Sequence, residues 1–149
     1  MGSLGTRNRW VAMVLLSMIA VVIAGCGRDG PKIVRVSGRV TRGGRPVANL
    51  KVNFIPASGR PSWGFTDPDG RYTLHYTRDR DGACVGKHKV FVKYSPRPSD
   101  PGEEMKMLAG GFKIPADIKA IEQKYGNQDT TPLEFDIQED RNDLDLELD

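Results

Sequence analysis

The residues able to do covalent or metal chemistry are few: Cys26, Cys84, His75 and His88, with two turn carboxylates, Asp67 and Asp69. A thiol is a nucleophile or soft ligand once deprotonated. An imidazole is a general base when an acid orients it inside a cleft. The histidines fall in different strand phases. His75 alternates with Leu74 and Tyr76, whereas His88 runs in phase with Val90 and Val92. Neither has an acid or a cleft indicated by its neighbours, so His75 reads as a surface residue and His88 as a partly buried core-edge residue. Asp67-Pro68-Asp69-Gly70 offers two carboxylates, too few for a calcium loop, which needs more ligands and a distal Glu. The four residues suit a tight turn instead. No G-x-S-x-G elbow, paired-histidine motif or two-cysteine metal motif occurs in the sequence. The residues predict no catalytic set, no metal and no cofactor.

Cys26 stands apart because of what precedes it. Residues 1–25 carry Arg7 and Arg9 and no acid, then 13 residues from Val11 to Ile23 interrupted only by Ser17, then Ala24-Gly25. This is a basic segment, a short apolar segment and a small-residue cleavage site, the plan of a secretory signal. As a helix the apolar run reaches about 20 Å, short of the roughly 30 Å hydrocarbon core, which argues against a permanent span. Arg7-Asn8-Arg9 is not a twin-arginine pair, so export of the unfolded chain is expected. Ile23-Ala24-Gly25-Cys26 resembles a bacterial lipobox. The resemblance implies cleavage before Cys26, a diacylglycerol thioether on its sulfur and, usually, a further acyl chain such as palmitate on its new amino group. Several chains are needed because one acyl chain binds membranes only marginally.

The expected organisation is a cleaved signal over 1–25, a tether over 26–31 and one domain over 32–149, long enough for a real core. The signal removes two of the 22 basic residues, leaving 20 against 19 acids, a net charge of +1. Nothing in that balance calls for a nucleic-acid partner. Glu134–Asp149 holds eight acids and one base, Arg141, while Lys87, Lys89 and Lys93 cluster earlier. Both runs read as solvated faces. With Cys26 lipidated, Cys84 has no intramolecular partner and reads as an incidental loop or half-buried thiol.

The elements that must position these residues follow a period of two. Val34, Val36 and Val40 mark one strand; Leu50, Val52 and Phe54 a second; Trp63 and Phe65 a short third. Tyr72, Leu74 and Tyr76 point inward on a fourth, and Val90, Val92 and Tyr94 on a fifth. Leu133, Phe135 and Ile137 mark a sixth, and Leu144, Leu146 and Leu148 a last. Pro96, Pro98, Pro101, Gly102, Gly110 and Gly111 make 95–111 a long mobile loop. Ile118, Ile121 and Tyr125 predict one helix over Pro115–Tyr125. The fold class is all-β, a seven-stranded antiparallel sandwich with one short helix in a long connection.

Three blocks carry a family resemblance. They are Val36–Thr41 with Gly44-Arg45-Pro46-Val47; Thr66–Leu74, the strongest; and Gly86-Lys87-His88-Lys89-Val90. Together they resemble the carboxypeptidase regulatory-like domain, and the tail, with Ile114-Pro115, Tyr125-Gly126 and Thr130-Thr131-Pro132-Leu133, resembles small bacterial lipoproteins that carry it. The resemblance implies a transthyretin-like (prealbumin-like) Greek-key topology. A purine-pathway hydrolase of that wider group ends in Tyr-Arg-Gly-Ser; here the end is Leu146-Glu147-Leu148-Asp149, so that activity is not implied. Related surface sandwiches form Lys–Asn bonds; Lys51 or Lys32 with Asn142 would be the pair, but Lys51 falls in the outward phase. The functional expectation is a non-enzymatic, lipid-anchored cell-envelope module, touching an envelope protein or glycan or serving as a spacer. The outer membrane is an allowed destination. The alternative is a carbohydrate-binding accessory domain with Trp63, Tyr72 or Tyr94 as platforms, although aromatics so spaced are more often core.

The mature chain is expected to begin at Cys26 and to partition into detergent. A Cys26→Ala chain should move to the aqueous phase; its continued fractionation with membranes would refute lipid attachment.

Overall fold

The structure, a computed structural model, describes residues 30–97, 101–110 and 113–149. The signal segment and Cys26 lie outside these residues. Pro31–Asp149 forms one unit. Among the described residues there are twelve strand segments and two helices. In chain order these are β1 (Ile33–Val34), β2 (Ser37–Arg42), β3 (Arg45–Pro46), β4 (Leu50–Pro56), β5 (Ser62–Phe65), β6 (Arg71–Thr73) and β7 (His75–Thr77). Then come β8 (Arg80–Asp81), β9 (Ala83–Cys84), β10 (Gly86–Tyr94), α1 (Pro101–Leu108), α2 (Ala116–Tyr125), β11 (Glu134–Ile137) and β12 (Leu146–Leu148).

The larger sheet runs β11-β10-β4-β5-β7-β8, antiparallel throughout. The smaller runs β12-β2-β3, with β6 also on β2, and β1 pairs separately with β9. Residues 71–77 serve both sheets. Their first half pairs β2, Leu74 donates its amide to Val36 O (2.9 Å), and the second half pairs β5. The sheets share one core, consistent with an all-β sandwich. Leu50, Val52, Phe54, Val90 and Val92 come from the larger sheet; Val40, Tyr72, Leu146 and Leu148 come from the smaller. The Phe54 and Tyr72 rings meet across the layers at 6.3 Å. Each such apolar side chain contributes about 1.5–3 kcal/mol by leaving water. The Tyr72 hydroxyl keeps its polar end satisfied by donating to Leu144 O at 2.6 Å. The α2 helix buries the expected Ile118, Ile121 and Tyr125. Glu122, at the edge of the same face, accepts the Tyr94 amide at 2.7 Å.

The C-terminal segment departs from the expected antiparallel order. It lies parallel to β2, with Leu146 opposite Val40, Leu148 opposite Arg42, and a parallel bridge from Val36 to Arg141. Ser37 N donates to Arg141 O (2.8 Å), Arg141 N to Arg35 O (2.8 Å) and Leu144 N to Ser37 O (3.0 Å). The acids here are not merely a solvated face. Asp140 accepts the Arg35 amide at 2.7 Å, Asp145 accepts the Arg39 amide at 2.7 Å, and Glu147 accepts the Gly44 amide at 3.2 Å and the Thr41 hydroxyl. Carboxylates thus satisfy amides in β2 and on either side of it. Gly38 permits the approach: a Cβ there would stand 2.1 Å from Leu144 O. Asp149 is held by Lys124 (2.5 Å) and by the Tyr125 hydroxyl.

Two further expectations are corrected. The 95–111 stretch is not all loop, because α1 occupies 101–108. Glu103 to Leu108 are good helix formers, and Pro101 suits the first helical position, so the flanking Pro and Gly residues masked a helix. Tyr76 is half-buried rather than inward, because it follows the switch between sheets at Leu74.

Hydrogen bonds from Thr41 and then Gly44 hold the Glu147 carboxyl below its ordinary 4.5. A carboxyl depressed in the folded state adds stability that is present at neutral pH and lost as pH falls below 4.5 through its folded value. Urea unfolding at pH 7 and pH 3 should therefore show a smaller pH difference for Glu147→Gln than for the parent; an unchanged difference would refute the assignment. Gly38→Ala should cost about 2 kcal/mol or more at neutral pH, since backbone must move to admit the methyl group.

Candidate functional site

The period of two leaves one face of the larger sheet outward. Strand register aligns a row across it: Phe91, Asn53, Trp63, His75 and Asp81. Lys93, Lys51 and Phe65 form the neighbouring row. Trp63 and Phe65 are therefore surface aromatics, not the core residues that their spacing suggested. The cause is local. Gly64 faces inward, where a Cβ would stand 2.4 Å from Thr73 O, and Ser62 shares that buried phase. The inner side of β5 has no room for rings, so both rings face out.

Trp63 is half-buried among its own neighbours. Phe65 meets it edge-on at 5.6 Å, His75 tilts against it at 5.3 Å, and the Lys51 ammonium lies 5.6 Å from its ring centre. The Arg97 guanidinium covers Phe65 at 4.8 Å. An exposed cation over a ring is worth about 0.5–1 kcal/mol, weak enough for a ligand to displace. Beside the rings lies an open cleft of about 570 Å³, lined by Phe65, Asp67, Arg71, Thr73, His75 and Arg97 among others.

His75 is a surface residue, as expected, but it borders that cleft. The β7–β8 turn brings Asp81 opposite it, and His75 Nδ1 lies 2.6 Å from Asp81 Oδ1. An acid partner and a cleft are both present, although the sequence neighbours indicated neither. The missed signal was the short Asp79–Asp81 return after a strand-end histidine. Both side chains are substantially exposed, at 37% and 55%. Among the described residues no nucleophile hydrogen-bonds the other ring nitrogen. The pair can orient a ligand's polar group, but a base without a positioned nucleophile is half a catalytic site.

His88 and Cys84 form a second pair, inside the protein. Each is almost fully buried, at 2% and 3% exposure. His88 is thus a core residue rather than a core-edge one, and Cys84 is neither loop nor half-buried, because β9 pairs it against Ile33. Gly86 O lies 2.9 Å from His88 Nδ1 and so takes the Nδ1 proton, which leaves the Nε2 lone pair facing Cys84 Sγ at 3.7 Å. Burial pushes the Cys84 thiol up and the His88 imidazole down. The resting pair is therefore thiol and neutral imidazole, not a thiolate–imidazolium nucleophile.

The chain matches no protein-family model, no curated protein and no solved structure.

The other candidates are placed as follows. Asp67 caps its own turn, its carboxylate accepting the Asp69 amide at 2.9 Å and the Arg71 amide at 2.8 Å. Gly70 has φ 72° at that turn, and a Cβ there would meet Val40 O at 2.5 Å. Tyr72 is core, and Tyr94 is half-buried. Lys87, Lys89 and Lys93 are exposed on β10, with Lys89 3.9 Å from Glu134. Lys51 lies over Trp63, whereas Asn142 borders a separate cleft with Ser37 and Asp145. Among the described residues, no three His, Cys, Asp or Glu side chains gather as a metal cluster, and no helix is long and apolar enough to cross a membrane. Cys26 lies outside the described residues.

Proposed function

We propose that the chain is a lipid-anchored, non-enzymatic module of the bacterial cell envelope whose contact surface is the outer face of the larger sheet. The observation that carries this reading is the outward row centred on Trp63. Rings aimed at solvent from a rigid sheet, flanked by Lys51, Arg97 and the His75–Asp81 pair, suit recognition. The lipobox at Cys26 supports the location: a lipid there would hold this face near a membrane, with residues 26–31 as tether.

The same reading takes the domain as carboxypeptidase regulatory-like, with a seven-stranded, transthyretin-like Greek key. The strand segments support that grouping. Joining β1 with β2 and β6 with β7, and setting aside the two-residue β3, β8 and β9, leaves seven. The inward alternation of β4 and β10 supports it too.

Trp63 beside Phe65 also favours a narrower second reading, a carbohydrate-binding accessory domain, since flat rings stack on sugar faces. Of the three platforms expected, Tyr72 is withdrawn because it is buried.

Crosslinking in intact envelopes, read for both proteins and glycans, tests the proposal. Trp63→Ala should lower capture of the partner about tenfold or more, the loss typical of a central interface tryptophan. Membrane fractionation and the thermal melt should stay near those of the parent. Capture unaffected by Trp63→Ala would overturn the assigned face. A glycan in the captured material would select the second reading.

A further inference from the structure

We propose, resting on lipid attachment at Cys26, that the end of the domain where the chain enters is a docking surface for anionic lipid headgroups, formed by Lys32, Arg60, Arg78 and Arg80. Strand order places these residues together. The larger sheet is antiparallel, so one of its ends holds the end of β4 at Pro56, the start of β5 at Ser62, the end of β7 at Thr77, and the starts of β8 and β10 at Arg80 and Gly86. Arg60 lies in the β4–β5 connection. Arg78 lies in the β7–β8 turn, and Arg80 stands opposite Thr77. The chain enters at the same end: the Val85 amide, one residue before β10, donates to Lys32 O at 3.1 Å. The β4–β5 connection closes beside it. Ala57 N donates to Lys87 O at 3.1 Å, and a Cβ at Gly59 would stand 3.7 Å from Cys84 Sγ.

Charge selects the occupant's sign. All four basic side chains are exposed, and among the described residues none of them joins an ion pair. Asp79 sits between Arg78 and Arg80, and Asp81 is taken up by His75. The β11 side of the same end is balanced differently, because Lys87 stands opposite Asp136 and Glu139 follows β11. The positive side is therefore the one carrying the β4–β5 and β7–β8 turns and the chain entry. Three of its four bases are arginines, whose planar fork matches a phosphate with two parallel hydrogen bonds.

The tether makes that occupant a membrane. Lys32 is six residues from Cys26. At no more than about 3.6 Å per residue it stays within about 22 Å of the lipid-bearing residue. Held that close, the basic end meets headgroups as an intramolecular event, at an effective concentration on the order of millimolar. Each basic residue brought near an anionic leaflet then strengthens the contact about fivefold. Seating this end on lipid stands β4, β5, β7 and β10 up from the surface. The row through Trp63 then faces sideways, clear of the headgroups and open to a partner.

The test places the lipidated protein, purified from membranes, in vesicles of phosphatidylcholine alone or of phosphatidylcholine mixed with phosphatidylglycerol. Amide hydrogen exchange over 57–61 and 77–80 should be at least about fivefold slower in the anionic vesicles. The difference should vanish at about 1 M salt, where the Debye length falls to about 3 Å. A chain carrying Arg60→Gln, Arg78→Gln and Arg80→Gln should float with both vesicles and melt like the parent, yet lose the slowing. Equal exchange in the two vesicles, slowing centred on Trp63 and Phe65 instead, or slowing that survives the triple substitution would each overturn the proposal and leave the anchor standing. A chain that floats with neither vesicle overturns the anchor and this surface together. Trp63→Ala should leave the slowing unchanged, which separates failure here from failure of the contact-face reading.

Discussion

The parallel seam between residues 35–42 and 140–148 is the constraint on which the rest of the molecule depends. Without it β2 would lack its partner on one side, and the core would lack Leu144, Leu146 and Leu148. The Arg39 amide of β2, and the Arg35 and Gly44 amides on either side of that strand, find no backbone acceptor across the seam. Asp140, Asp145 and Glu147 supply acceptors from side chains instead. The acid-rich tail is thereby structural as well as solubilising. It closes a sheet edge that would otherwise be open to other chains.

The opposite layer has its own rule: what the backbone crowds on the inside decides what appears outside. Gly64 lies against Thr73 O, so β5 holds nothing larger than Ser62 on its inner face. Trp63 and Phe65 are turned outward as a result. Because β5 is flanked by β4 and β7, those rings ride on a paired strand rather than on a loop. The outer face of the larger sheet and the seam are therefore linked through residues 71–77, which pair β2 at one end and β5 at the other.

Much of the interior was legible because alternation encodes it. Val52 and Phe54 on β4, Val90 and Val92 on β10, and Ile118, Ile121 and Tyr125 on α2 are buried as their spacing requires. What was not legible depends on partners distant in sequence. Parallel and antiparallel closure give Leu144, Leu146 and Leu148 the same pattern, so their orientation against β2 could not be read. The outward turn of Trp63 is set by Thr73, and the acid beside His75 arrives through a hairpin of irregular register. Cys84 and His88 meet because Gly86, at φ 125°, bends the chain between them. The α1 helix was hidden by its flanking prolines and glycines.

The direction of the seam has a mechanical meaning. The chain enters the domain at Pro31 and passes through β1 into β2, whose axis runs alongside β12 in the same sense. A pull between the N-terminal end of β2 and the C-terminal end of β12 would load β2 lengthwise against its neighbour. Its backbone bonds to residues 141 and 144 and its carboxylate clamps are then sheared together rather than peeled in turn. Loaded in that direction, the pair yields only by giving up several bonds at once.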